Sequence, residues 1–271
     1  MTFWETFFIA PLANGLVIFY RLLGENMGVA IIVFSLILKI VLNPLSKTQL
    51  ESAKKMKDLA PRLEKLKKKY KNNPTKLAQV QADLYKENGV NPLGGCLPQL
   101  LQLAILIAFY GVFTRTLYPG INTVDAFNNF LYSPLKFAEG AAINTKFFNL
   151  DITKPDVFKL SFLPFVLPGA FLILSTVAQF LSIKIMEPYV EVETKMAKKT
   201  KGVEDDMQVA MQKSMSYTFP ILTLLIGVKF PSGLVLYWLV FSVFQLVQQY
   251  KMSGWGALTP LIRRIGLIKS R

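Results

Sequence analysis

Five stretches of this chain are almost free of charge, and a chain so divided has few ways to fold in water. Between Met27 and Leu45 the one Asp, Glu, Lys or Arg is Lys39, and Leu97–Val112, Leu160–Ile183, Ser214–Val228 and Phe230–Tyr250 contain none. Each is near the roughly 20 apolar residues that cross a hydrocarbon core of about 30 Å. Ser214–Val228 is short and holds Pro220, which suits a span shielded by its neighbours. Of 271 residues, 18% are charged, below the usual quarter, so the charges are segregated rather than spread over a surface. The pattern predicts an all-α polytopic membrane protein built as a five-span helical bundle.

The charges left between the spans are biased. Lys47–Asn88 holds 12 Lys/Arg against 5 Asp/Glu, Arg115–Lys159 holds 5 against 4, Lys184–Lys213 holds 6 against 6, and Lys251–Arg271 holds 5 against none. Basic residues mark cytoplasmic loops, so the first, third and last of these regions belong inside, with the N-terminus outside and the C-terminus cytoplasmic. Five spans have the parity this requires.

The expected layout is an N-terminal amphipathic interfacial helix over 1–24, spans over 25–48, 94–117, 161–186, 214–229 and 230–251, and a cytoplasmic helical hairpin over 49–93. An extracytoplasmic loop over 118–160 with one or two short helices, a flexible cytoplasmic loop over 187–213 and a basic tail over 252–271 complete it. Phe3–Leu23 lacks the basic start and small-residue cleavage site of a signal sequence; an uncleaved sixth span is the alternative reading. No lipoprotein anchor is expected, since the one cysteine, Cys96, lies deep in this sequence. In the hairpin, Leu50, Ala53, Met56, Leu59, Ala60, Leu63 and Leu66 form one stripe. Asn72, Asn73 and Pro74 break it, and Thr75–Glu87 restarts a helix. Its basic residues include Lys54, Lys55, Lys57, Arg62, Lys67, Lys68 and Lys69; taken alone they read as a solvated charged hairpin.

Chemistry is narrowed by absence. Without histidine there is no Ser-His-Asp triad, HExxH zinc site or imidazole base, and one cysteine permits neither an intrachain disulfide nor a CxxC pair. No span contains a carboxylate to bind a coupling cation or relay protons. No cofactor, metal or nucleotide site is expected, and the chain is not read as an enzyme.

What the spans do contain is polar. A lysine near the middle of a span costs about 2.5–3.5 kcal/mol on insertion scales, so Lys39 should face the bundle interior or a wet cavity. Ser35, Lys39, Asn43 and Ser46 share one helical face, although Lys39 could instead snorkel to the cytoplasmic headgroups. Ser175, Gln179 and Ser182 make a second stripe, Gln99 and Gln102 a third, and Trp238, Ser242, Gln245 and Gln249 a fourth. Singly, each is an ordinary interhelical hydrogen-bond partner; together they suggest a shared hydrophilic interior. A Ser35–Lys39 proteolytic dyad lacks any accompanying oxyanion-hole loop.

Two segments then become familiar. KENGVNPLGGCLPQLLQLAILIAFYGVF (Lys86–Phe113) and FPSGLVLYWLVFSVFQLVQQY (Phe230–Tyr250) closely resemble signature segments of the YidC/Oxa/Alb membrane-protein insertases, and LKIVLNPLSKTQLESAKKM (Leu38–Met56) resembles the first core span and hairpin start. The resemblance covers about residues 15–250. It implies an insertase and chaperone whose hydrophilic, positively charged groove opens to the cytoplasm and to lipid but is closed outside. It puts Lys39 at the groove's basic position, where the family usually carries arginine; lysine keeps the charge but loses the planar fork. It makes Gln179 a groove residue beside Ser35, Asn43, Gln102 and Ser175, and places Tyr237 and Trp238 where aromatics contact the substrate span.

By resemblance the membrane is a bacterial plasma (inner) membrane and the form a minimal one without a large outer domain. The partners implied are nascent membrane proteins, the Sec translocon, signal-recognition targeting machinery and the ribosome, with anionic lipids the plain alternative for the short tail (Arg263, Arg264, Lys269, Arg271); DNA is not expected. Other readings are a channel or transporter subunit with a cationic vestibule and a structural assembly factor. Cys96 is expected to pack as a small residue at a span entrance.

Overall fold

The computed structural model describes residues 2–70, 73–89, 96–117, 120, 122–162, 164–186 and 207–266, and these are mostly helical. They form two compact units, Met1–Leu42 with Leu101–Gln179 and Phe219–Gln245, and Asn43–Leu100 with Phe180–Thr218 and Leu246–Arg271.

The first unit begins with a π-helical turn, Glu5–Ile9, that runs into α1 (Ala10–Leu22). The Asn26 side chain accepts the Val29 N–H at 3.1 Å and caps α2 (Met27–Val41). That helix ends at Leu42 because Pro44 has no N–H for the carbonyl of Ile40. Ala13, Leu16, Val17 and Tyr20 of α1 meet Met27, Ile31 and Phe34 in the unit's core. A Cβ on Gly15 would come within 2.6 Å of the Phe34 ring, so glycine permits the close approach of α1 and α2. The N-terminal helix is thus a core element of its unit as well as carrying the exposed apolar side chains of Phe3, Phe7 and Leu22. Asn14, buried in α1, donates to the Phe130 carbonyl at 2.9 Å and accepts the Tyr132 N–H at 2.8 Å, fixing the segment after α6 (Thr123–Asn128).

Two short antiparallel strand pairs follow α6 and the 3-10 turn Ser133–Leu135. β1 (Lys146–Phe147) pairs β2 (Leu150–Asp151), and β3 (Val157–Phe158) pairs β4 (Leu167–Pro168) with Val157 opposite Pro168. The strands were not visible in the hydropathy pattern. They hold the starts of two helices. The buried Asp156 carboxylate accepts the Phe171 N–H at 2.8 Å at the head of α7 (Ala170–Met186), and the Asp156 carbonyl accepts the Gly169 N–H at 2.8 Å. A Cβ on Gly169 would lie 1.8 Å from that carboxylate. The Ser232 N–H donates to the Lys154 carbonyl at 2.7 Å and the Gly233 N–H to the Ile152 carbonyl at 3.0 Å, which ties the same segment to the head of α9 (Ser232–Ser253). Burial raises the Asp151 carboxyl, but hydrogen bonds from the Thr153 hydroxyl and N–H and the Thr145 hydroxyl outweigh it and hold the group below its ordinary range. Of the third expected span, 161–186, the helix α7 takes up Ala170–Met186, and the described residues before Gly169 belong to the β3–β4 loop and to β4.

In the second unit α3 (Asn43–Lys69) and α4 (Pro74–Glu87) form the helical hairpin. The Asn73 side chain accepts the Lys76 N–H at 3.0 Å, Pro74 occupies the first turn where its missing N–H is not needed, and Gly89 at φ 60° follows the end. Leu59 and Leu63 pack with Leu84 and Tyr85. Lys54, Lys55, Arg62, Lys68 and Lys69 are exposed. The side chains of Lys57 and Lys67, the segment preceding Cys96, the loop 187–206 and the tail residues Lys269 and Arg271 lie outside the described residues, as does the Cys96 side chain. Arg263 and Arg264 end α10 (Thr259–Arg264).

Each expected span contains an apolar helix. Ser232–Ser253 is long and apolar enough to cross a membrane by itself; Met27–Val41, Leu101–Thr116 of α5 (Cys96–Thr116), Ala170–Ile185 and Tyr217–Gly227 of α8 (Met207–Gly227) are shorter. Leu36, Ile37, Ile40 and Val41 on α2, Leu103, Ile107 and Tyr110 on α5, Ile173, Leu174 and Val177 on α7, Leu222, Leu225 and Ile226 on α8, and Val243, Val247 and Tyr250 on α9 are all exposed. Their 3/4 spacing gives each helix an apolar outer stripe, while Ser35, Lys39, Ser175, Gln179, Thr223 and Ser242 are buried. A soluble domain rarely exposes so many apolar side chains on helix after helix; helices in a hydrocarbon solvent must.

Candidate functional site

Lys39 sits in the last turn of α2, where the carbonyl end of the helix favours a cation. It is 3% exposed and so faces inward. Its ammonium lies 3.4 Å from the Gln102 Oε1 of α5, as donor, and 4.8 Å above the Phe241 ring of α9. An amide oxygen and a ring face solvate a cation without neutralising it, the ring contributing about 0.5–2 kcal/mol. No carboxylate lies within ion-pair distance of Lys39 among the described residues.

The aromatic packing behind it is dense. Phe241 lies 4.4 Å from Tyr237, which stacks on Phe109 at 4.3 Å. Tyr237 is 1% exposed and packs in the core of its unit. Its hydroxyl is buried with no hydrogen-bond partner among the described residues, an unusual state for a polar atom in a folded interior. Trp238, half-buried, tilts against Phe230 at 6.4 Å.

The other polar residues are brought together in part. The Thr223 hydroxyl on α8 donates to Gln179 Oε1 on α7 at 3.0 Å. Ser35 and Ser175 instead donate to their own helices, to the Ile31 carbonyl at 2.5 Å and the Leu172 carbonyl at 2.9 Å; the Ser35 hydroxyl is thereby engaged as a helix back-bond rather than as a nucleophile. Asn43 departs from its expected place. The helix break at Leu42 starts α3 at Asn43, so the Ser35–Lys39–Asn43–Ser46 stripe is not one continuous helical face; Asn43, in the second unit, is exposed and accepts from Gln248. Sequence reasoning missed Phe241 and Thr223. Phe241 stands four residues after Tyr237 on one helix face, a signal that was present; Thr223 carried none, since nothing in α8 points to a partner on α7.

The model of the family described as 60Kd inner membrane protein matches residues 18–256. The membrane protein insertase YidC of Fusobacterium nucleatum subsp. nucleatum is 36% identical over 232 residues, which is 86% of this chain and 88% of that protein. The membrane protein insertase YidC 2 of Bacillus anthracis is 33% identical over 255 residues, 93% of this chain and 81% of that one. Among solved structures, an active YidC insertase crystal structure with the first transmembrane domain resolved superposes with a TM-score of 0.52 at 27% identity, over 90% of this chain and 46% of that chain; this chain thus spans just under half the length of the solved one. On this match and its coverage, the chain belongs to the 60Kd inner membrane protein family, that of the YidC insertases.

Proposed function

We infer that the chain is a membrane protein insertase that receives nascent membrane proteins in a bacterial membrane. The observation that carries the reading is the buried Lys39 ammonium, solvated by Gln102 and Phe241 and neutralised by neither, on a helix whose opposite stripe is apolar. A transporter of inorganic cations needs carboxylates near such a site, and the apolar helices have none. A chain that must bring an acidic polar tail into the membrane needs one positive charge without a resident counterion.

In this reading the five apolar helices α2, α5, α7, α8 and α9 span the membrane, the N-terminus lies outside, and the hairpin and C-terminus are cytoplasmic, which the basic bias supports. Lys39, Gln102 and Gln179 belong to a hydrophilic groove open toward cytoplasm and lipid. Engagement displaces Gln102 from Lys39 and gives the Tyr237 hydroxyl a peptide carbonyl to bond. Trp238 is the aromatic a passing segment meets. Transfer of that segment into lipid supplies the driving force, roughly 25 cal/mol per Å² of apolar surface, so the work is partitioning without a covalent step. The hairpin captures substrate or recruits targeting machinery through its exposed lysines, and the basic tail is the part that would meet the ribosome.

Reconstitution tests this. Liposomes containing the purified chain should protect the translocated tail of a small single-span protein from added protease, and protein-free liposomes should not. Equal protection in both would overturn the reading.

A further inference from the structure

In the loop between β3 and β4, residues 159–162 and 164–166 are open to solvent and mostly apolar. Phe162 is 78% exposed, Phe165 59%, and Leu160 40%, with Phe158 at 55% on the strand before them. Lys159, also exposed, stands at the base of the loop, and a shallow cavity of about 290 Å³ places it against Leu160, Pro164, Phe165 and Val166. A cationic rim over an apolar wall matches the chemistry of a phospholipid, phosphate above and acyl chain below.

The loop is also held. Its two ends are paired, Phe158 opposite Leu167, and Asp156 ties the hairpin to the head of α7 through the Phe171 and Gly169 amides. An aromatic loop of this exposure on a fixed hairpin is not explained by packing within the unit. It is continuous along the chain with the outward stripe of α7 that begins at Ile173 and Leu174. Phenylalanines at the end of a spanning helix, flanked by lysine, have the composition of an interfacial anchor.

We propose that the β3–β4 loop inserts into the bilayer interface where α7 enters it, with Phe162 and Phe165 among the upper acyl chains and Lys159 at the phosphates. The loop then fixes the depth of the α7 and α9 heads, because one segment holds both. The inference rests on the chain being embedded in a membrane, and it is independent of whether the chain inserts substrates.

The test uses the full chain with Cys96→Ser, carrying Phe162→Cys or Phe165→Cys labelled with an environment-sensitive fluorophore, in vesicles of phosphatidylethanolamine and phosphatidylglycerol. Glu139→Cys, at an exposed turn of the same unit, is the reference. Emission from positions 162 and 165 should shift to the blue, be quenched by nitroxide carried high on the acyl chain, and resist aqueous iodide; position 139 should show the reverse. Iodide quenching at 162 and 165 equal to that at 139 would overturn the proposal. So would protection from both quenchers, which means the loop packs on protein. Both substituted side chains point out of the fold, so labelling does not threaten folding, and failure of insertion in the reconstitution assay leaves this readout untouched.

Discussion

Lys39 separates stability from function at a single residue. Its burial beside Gln102 and Phe241 costs desolvation, and neither partner is an anion. Lys39→Met fills nearly the same volume and removes the charge. The variant should therefore show an unchanged or higher melting temperature in detergent, while insertion of a substrate with an acidic tail falls on the order of tenfold, the worth of one charge-assisted contact. Lys39→Arg should keep both. A methionine variant that inserts acidic-tailed substrates at the parental rate would remove the charge from the mechanism. This residue was legible because membrane physics makes a lysine in an apolar helix conspicuous. Thr223 was not, because its pairing with Gln179 joins residues that no local pattern relates. Tyr237 was legible as important but not as buried: an aromatic on a spanning helix looks the same from sequence whether it faces lipid, substrate or the Phe109 ring.

At the scale of elements, the helices could be read from charge-free runs, but their starts could not. Leu160–Ile183 is one uncharged run, yet it divides at Gly169 into a hairpin arm and α7. Pro164, Pro168 and Gly169 were the available breakers; hydropathy alone concealed them, since an interfacial loop and a span share composition. What ends the ambiguity is Asp156, whose carboxylate takes the Phe171 N–H and makes Ala170 the first helical residue. The same logic ends α2, where Pro44 rather than any change in hydropathy divides a run that reads as one span. Asp156→Ala removes the cap and should lower stability by about 0.5–2 kcal/mol, read as a reduced melting temperature of the detergent-solubilised chain. Asp156→Asn, which retains an acceptor, should recover most of it. If alanine is neutral, the carboxylate does not hold the head of α7.

For the whole molecule, the division of labour lies between an apolar bundle and a basic hairpin whose buried residues touch one another. Leu59 and Leu63 of α3 pack on Leu84 and Tyr85 of α4, and Lys54, Lys55, Arg62, Lys68 and Lys69 are turned to solvent. The stretch Lys47–Asn88 carries 12 basic against 5 acidic residues, the largest concentration of positive charge in the chain. Such a surface attracts anionic partners over about a Debye length, roughly 8 Å at physiological salt. Replacing residues 50–88 by a short Gly/Ser linker should leave the thermal unfolding of the remaining chain in place, because the hairpin's core is removed intact with it. Capture of a ribosome-bound nascent membrane segment, measured by crosslinking, should fall several-fold and lose most of its salt dependence. A deletion that captures as well as the parent, at low and high salt alike, would reduce the hairpin's lysines to a topological signal that holds the bundle's orientation and does nothing further.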